Sequence, residues 1–346
     1  MRIIKRKYVL ASMMTLVLLP CLLIALNIIC FCKTFANSSD YRAKRIASPY
    51  ENINFETALR LRANLHTHTT ASDGNETSDE VIRLYAEKGY DIIAITDHRT
   101  FGISATEYRT VAGQKVLVIK GIEAGLYHHH FNSLFTDYNR IFRLSTKSLI
   151  QDHVRNSNGI MFLNHPTRYR RFSDKWYECV YSRFPADQMV GMEVLNRDDN
   201  YPESKELWDR LLTKSAPDRA IWGFGNDDSH TAKCIDFSYN EFLVEENSIE
   251  NIKYAIQSGR SFFYNRDSGS RSDMPYVRNI AVSQEQLTIA VDAGNADLIQ
   301  WISCGQVVSE GPKISIIELG LERYVRFVIT SSAGTLYSQP FLLKPY

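Results

Sequence analysis

Apolar and polar positions divide the chain into four stretches of different texture. Between Tyr8 and Cys32 no residue is charged, and Leu, Ile and Val dominate. Such a run exceeds the apolar core of a cleaved signal and suits a bilayer-spanning helix of about 20 residues. Arg2, Lys5, Arg6 and Lys7 precede it, favouring a cytoplasmic N-terminus and an exported body, although Lys33, Arg42, Lys44 and Arg45 weigh the other way. Thr34-Phe35-Ala36 offers a small-residue cleavage site, so the alternative to a membrane anchor is a removed signal and a secreted protein. Residues 1–36 are therefore read as anchor or signal. Residues 37–58, polar and without periodicity, are read as a stalk.

From residue 59 to 272 short apolar runs alternate with amphipathic stretches. Leu61–Leu65, Asp91–Thr96, Val116–Gly121, Ile160–Asn164, Gly191–Leu195 and Ile221–Gly225 have the pattern of buried strands. Ser78–Lys88, Lys147–Ser157, Glu203–Lys214 and Ile249–Ser258 have helical spacing; Thr77 and Glu80 form a capping-box pair, and Gly89 is a C-terminal stop. Strand–helix alternation predicts a parallel sheet or an α/β barrel. Over 273–346 the runs Val277–Val282, Leu287–Val291, Leu298–Ile302, Ile314–Leu319, Tyr324–Ile329 and Leu336–Leu342 follow one another with no helical pattern between them. That predicts a small antiparallel β-sandwich.

Composition narrows the function classes. With 44% hydrophobic and 23% charged residues in 346, the chain is neither disordered nor a small disulfide scaffold. A net charge of +1 supplies no general attraction for nucleic acid, and no such partner is expected. Cys21, Cys30 and Cys32 fall in the apolar run, which leaves Cys179, Cys234 and Cys304 without metal-binding spacing.

Candidate chemistry gathers where strands end. The first barrel-type strand leads into His66-Thr67-His68, followed by Asp73; residues two apart on an extended chain project to one side, so both imidazoles can grip one ion. Later strands end in Asp97-His98, in Glu123 with His128-His129-His130 close behind, in His165, and in Asp228-Ser229-His230. The carboxyl-terminal rim is where α/β barrels build sites. Each piece alone has a bland explanation. Asp97 can cap a helix, His165 before Pro166 can serve a turn, and the tandem histidines can form a polar loop. Taken together, clustered histidines interleaved with Asp73, Glu123 and Asp228 predict a polynuclear metal centre. His128, His129 and His153 are left as loop or surface residues.

The ordered series LHTHTTASDG, ITDH, GIE with HHHFN, NHP and DSH resembles the polymerase and histidinol phosphatase (PHP) metal-dependent phosphoesterases, from about Leu61 to Arg266. The resemblance implies a distorted (β/α)7 barrel with two to three divalent zinc, manganese or iron ions at its rim. By that likeness His66, His68, Glu123 and Asp228 would hold a first ion. Glu123 would bridge to a second held by His130 and His165, and Asp73, His98 and His230 would hold a third. His130 is taken from the tandem histidines because HFNSL matches the family's H-x-N-x-L. Glu123, Asp228 and His230 are the catalytic candidates. In the tail, Tyr324-Val325-Arg326 and Ser338-Gln339-Pro340 look like the exported CehA/McbA-type branch, which includes ester- and carbamate-cleaving members.

Such a site performs metal-assisted hydrolysis, in which adjacent ions activate a shared water and polarise the scissile group. A small-molecule phosphomonoester is the expected substrate. The alternatives are a carboxylic or carbamate ester, or, outside catalysis, a surface binding module built on a relic barrel. Arg168, Arg170 and Arg171 follow His165 closely and can clamp a phosphate bidentately; equally they can form a solvated basic loop or meet anionic headgroups.

Overall fold

The structure, a computed structural model, describes residues 44–125, 129–141, 143, 145–168, 173–197, 199–267 and 271–345. In chain order these form β1 (Lys44–Ala47), β2 (Leu59–Asn64), α1 (Ser78–Glu87), β3 (Ile92–Ile95), β4 (Glu107–Val111), β5 (Gln114–Ala124) and β6 (Phe131–Leu134). Next come α2 (Thr146–Asn156), β7 (Ile160–Leu163), α3 (Asp174–Arg183), β8 (Met189–Asn196), α4 (Glu203–Ser215), β9 (Trp222–Asn226), β10 (Ser238–Val244), α5 (Ile249–Ser258) and β11 (Ser261–Arg266). The tail adds β12 (Tyr276–Ser283), β13 (Thr288–Gly294), β14 (Leu298–Ser303), β15 (Gln306–Glu310), β16 (Lys313–Ser315), β17 (Tyr324–Ser331), β18 (Gly334–Ser338) and β19 (Phe341–Pro345).

Local chemistry explains the helix limits. The Thr77 side chain accepts the Glu80 N–H at the start of α1, and Gly89 at φ 73° ends it. Ser145 and Ser248 cap α2 and α5 in the same way. The strands sort their side chains by the period of two. Leu61, Ala63, Ile92, Ala94, Leu117 and Ile119 share one buried cluster. The intervening Ile93, Ile95, Val116 and Val118 pack instead with Val81, Ile82 and Tyr85 of α1.

Sixteen strands form one continuous sheet. Neighbours β2, β3 and β5 run parallel, as do β7, β8 and β9, whereas β6 is antiparallel to both β5 and β7. The sheet curls until the tips of β2 and β9 meet: Thr67 pairs with Ser229, and the His68 N–H donates to Ser229 O at 2.9 Å.

Three expectations about the fold class need correction. The first is the count of seven strand–helix units within the distorted barrel. Five α-helices occur among the described residues, and β4 and β5 form a hairpin whose turn, Ala112-Gly113, has φ 52° and 83°. A two-residue link permits only an antiparallel return, and the few residues between β5 and β6 are too short for a helical crossover.

The second is the spanning helix. Residues 8–32 lie outside the described residues, and among those no helix is long and apolar enough to cross a membrane. The longest, α4 with 13 residues, reaches about 20 Å against a hydrocarbon core of about 30 Å.

The third is the small β-sandwich over 273–346. Strand β18 pairs with β11, β17 continues from β18, and β19 pairs with β1 near the start of the described chain. Among the described residues, only β12, β13 and β16 form a sheet of their own. The tail's edge groups are satisfied by the barrel's own edge strand, so the two regions share backbone hydrogen bonds.

Candidate metal centre

The strand ends bring all nine expected ligand residues to one rim. Around Glu123 the geometry is two-sided. Its Oε2 lies 3.4 Å from His66 Nε2, 3.3 Å from His68 Nε2 and 3.1 Å from His98 Nδ1. Its Oε1 lies 3.0 Å from His130 Nδ1 and 3.2 Å from His165 Nε2, and accepts the Asn164 amide at 2.8 Å. Asp228 Oδ1 stands 3.1 Å from His68 Nε2 and 3.4 Å from His66 Nε2. Asp73 meets His68, His98 and His230 at 3.4, 3.7 and 3.5 Å.

Four sets of donor atoms fall within 4.8 Å of one another: His68, Asp73, His98 and His230; His66, His165 and Asp228; His66, His68 and Glu123; His98, Glu123 and His130. The partition differs from the expected one. His68 also belongs with the Asp73 set, His165 stands with His66 and Asp228, and His98 reaches Glu123 as well as Asp73. Donor chemistry fits divalent transition ions: imidazole nitrogens converge with carboxylate oxygens, and the Nε2 atoms of His66 and His68 face each other at 3.1 Å.

Burial grades across the site. The side chains of His66, His68, Glu123 and His165 are sealed, whereas His98 and His230 are 22% and 26% exposed and Asp73 53%. The open side of the cluster is therefore the Asp73 side. The electrostatics follow the same gradient. Burial opposes charge on His66, but Glu193, Asp228 and Glu123 outweigh it and push its imidazolium up to about 10. Burial raises Glu123 as well, yet His66 and His130 together hold its carboxyl well below the usual range. At His98 burial dominates; Glu123 pulls the pKa back up, His68 and His130 push it down, and it settles at about 4.

The loop between His68 and Asp73 is built for close approach. A Cβ on Gly74 would stand 2.6 Å from the backbone of His68, so the turn accepts only glycine. Asp97 secures that loop, accepting the Thr69 N–H at 2.8 Å, the Thr69 hydroxyl at 2.8 Å and the Ser72 hydroxyl at 2.6 Å. Backbone strain marks the site too: His165 and Asp228 have φ 28° and 47°.

The other expected residues separate. His130 faces Glu123, whereas His129 is buried against the rings of Trp176 and Tyr177, and His128 lies outside the described residues. His153 is buried, with Nε2 2.8 Å from Arg140 O. Arg168 is exposed in the short turn Pro166–Arg168 after His165, and Arg170 and Arg171 lie outside the described residues. Tyr177 and Tyr181 pack the core, donating to Pro166 O and Gly191 O.

Two residues were missed. Glu193 is fully buried 2.7 Å from His66 Nδ1. Arg197 donates from Nη2 to Asp228 O at 2.9 Å and lies 3.0 Å from His230 Nδ1. A lone carboxylate inside the otherwise apolar strand Met189–Leu195 was the available signal for Glu193.

Residues 64–221 match the PHP domain. No curated protein sequence matches the chain. Among solved structures, it is similar to a two-domain protein from Bacteroides vulgatus containing a predicted PHP-like metal-dependent phosphoesterase. Identity there is 17% over 86% of this chain and 90% of that one, with a TM-score of 0.48. It is also similar to PsfC from Pseudomonas syringae, at 12% identity over 57% of this chain and 88% of that one, TM-score 0.41. A lesion-specific endonuclease, PfuEndoQ from Pyrococcus furiosus, aligns at 13% identity over 57% and 56%, TM-score 0.40.

Proposed function

We propose that the protein is a metal-dependent hydrolase that cleaves a small-molecule phosphomonoester. The observation that carries this is Glu123, whose two oxygens each face a separate group of imidazoles. His66, His68, Glu123 and Asp228 would hold one ion, Glu123, His130 and His165 another, and Asp73, His98 and His230 a third. Bound divalent ions of the zinc, manganese or iron class would supply Lewis acidity and an activated water at neutral pH.

The chain's own groups do the positioning. Glu123 spans the cluster and sets the spacing of the histidines on either side. His98, neutral at ordinary pH, keeps a nitrogen lone pair available on the open side of the site. Arg197 holds the Asp228–His230 turn from below through Asp228 O. Arg168, with Arg170 and Arg171, would meet the anionic end of the substrate, and of the catalytic candidates His230 is partly exposed while Glu123 and Asp228 lie buried behind it. Within the PHP family the tail motifs favour the CehA/McbA-type branch.

The test is a panel of phosphate, carboxylate and carbamate esters assayed with manganese, zinc and iron, with a chelator control. Phosphoester hydrolysis is expected, and His66→Ala combined with His68→Ala should remove most of the bound metal. Hydrolysis of carboxylic or carbamate esters alone would move the substrate class. Metal-independent protein that binds without cleaving any ester would return the barrel to a binding module.

A further inference from the structure

Glu193 sits in the middle of β8, where the other side chains from Met189 to Leu195 are apolar or glycine and every position is buried. A carboxylate in such a place needs compensation, and here it is complete. Oε1 takes the Nδ1–H of His66 at 2.7 Å and the Asn226 amide at 2.9 Å. Oε2 takes the backbone N–H of His165 at 2.8 Å and the Asn196 amide at 3.0 Å. Each oxygen has about two lone-pair positions, so all are committed to donors and none is left for a metal ion. Glu193 is therefore no ligand.

Its partners are informative. They come from the ends of β2, β7, β8 and β9, the strands that deliver most of the buried ligands. Accepting the Nδ1 proton of His66 leaves Nε2 as the nitrogen that an ion would deprotonate and bind, and Nε2 is the atom that faces His68, Glu123 and Asp228. Accepting the His165 N–H holds a residue whose φ is 28°, a conformation that neighbouring structure must impose.

We propose that Glu193 is the positioning residue of the centre, fixing the tautomer of His66 and the backbone of His165 so that both imidazoles present nitrogen to the same cluster. This rests on the metal-hydrolase function proposed above. A glutamine here cannot substitute. Whichever way its amide turns, an NH2 group meets either His66 Nδ1 and the Asn226 amide, or the His165 N–H and the Asn196 amide. In the first case His66 must carry its proton on Nε2, closing the nitrogen aimed at the ion.

The experiment titrates metal-free full-length protein with cobalt(II), comparing wild type, Glu193→Gln and Glu193→Asp, and melts each with and without cobalt. Glu193→Gln should bind cobalt about 10–100-fold more weakly, and its melting temperature should fall further below wild type with cobalt than without it. With nitrogen-15 histidine and cadmium-113, wild type should couple cadmium to His66 Nε2 and keep the Nδ1 proton; Glu193→Gln should lose that coupling. Glu193→Asp, which retains the charge on a shorter stem, should fall between them, and it carries the comparison if the glutamine variant does not fold. Unchanged cobalt affinity, or an equal loss of melting temperature in the metal-free and loaded forms, would overturn the proposal and leave Glu193 as fold support. Wild type that binds no cobalt would instead overturn the metal centre itself, and this role with it.

Discussion

Two of the buried charged clusters among the described residues are built in opposite ways. At the rim, Glu123 and Asp228 face five imidazoles, and several donor atoms point at one another across 3.0 to 3.4 Å. At the junction between α4 and β17, Asp209 receives Arg326 through Nε at 2.9 Å and Nη2 at 2.6 Å, and the Tyr324 hydroxyl at 2.8 Å. Arg326 also lies over the Trp208 ring, 4.8 Å from its centroid. Here each charge has a fitted counterpart. Burial of charge alone thus does not mark a site; like groups converging on common space does. The junction holds the tail to the barrel, whereas the rim is arranged to receive something.

That contrast can be broken from either side. The largest effect should come from the junction. Arg326→Ala strands a buried Asp209 and should cost about 3–5 kcal/mol of folding stability, read by denaturant unfolding, while metal content per folded molecule stays as in wild type. Equal loss of metal would mean that the two clusters are not independent.

Next comes the rim. Glu123→Gln keeps the shape but removes the charge shared by both imidazole groups. Displacement of reacting groups by about an ångström costs roughly 100-fold in rate, so turnover should fall by that order in a protein whose circular dichroism matches wild type. Near-normal hydrolysis by a folded variant would dismiss Glu123 as the organiser of the centre. Smaller again is Arg168→Ala. Loss of a charge-assisted hydrogen bond to phosphate should raise KM for a phosphoester by about 1.5–3 kcal/mol, with kcat and metal content retained; an unchanged KM returns the turn to a solvated surface.

The smallest effect sharpens the comparison most. Replacing Asp209 and Arg326 together by Leu and Met should cost far less than Arg326→Ala, since removing both charges leaves nothing unpaired and is often close to neutral. A double variant as unstable as the single one would show that the pair contributes more than mutual compensation.

Much of the rim was legible because its residues end strands. His66-Thr67-His68, His98, Glu123, His165 and Asp228-Ser229-His230 each follow an apolar run, and the period of two announces which side chains share a face. Four of the helices were legible for a similar reason, Thr77, Glu80 and Gly89 being local signals that act over a few residues, whereas α3 was not read. Glu193 escaped because its role depends on His66, 127 positions away, and nothing in its neighbours names that partner. Strands β10 and β11 escaped too, hidden in stretches where Tyr, Asn and Glu interrupt the apolar pattern.

The tail shows the division most clearly. Its strands are visible as apolar runs, but the run Leu336–Leu342, read as one strand, is broken at Pro340 into β18 and β19. Which sheet they would join was not visible, because an edge strand's free N–H and C=O groups are the same whatever partner arrives. Tyr324, Arg326 and Gln339, which looked like family marks, turn out to be fasteners: Gln339 bonds Gly223 through both its N–H and its C=O, and Arg326 closes on Asp209. By itself the sequence determined the local elements and the identity of the rim donors, since both depend on residue type and short-range period. The pairing of sheet edges, the sharing of ligands among donor sets and the anchoring of His66 were decided only by tertiary structure, because each depends on groups brought together from far apart in the chain.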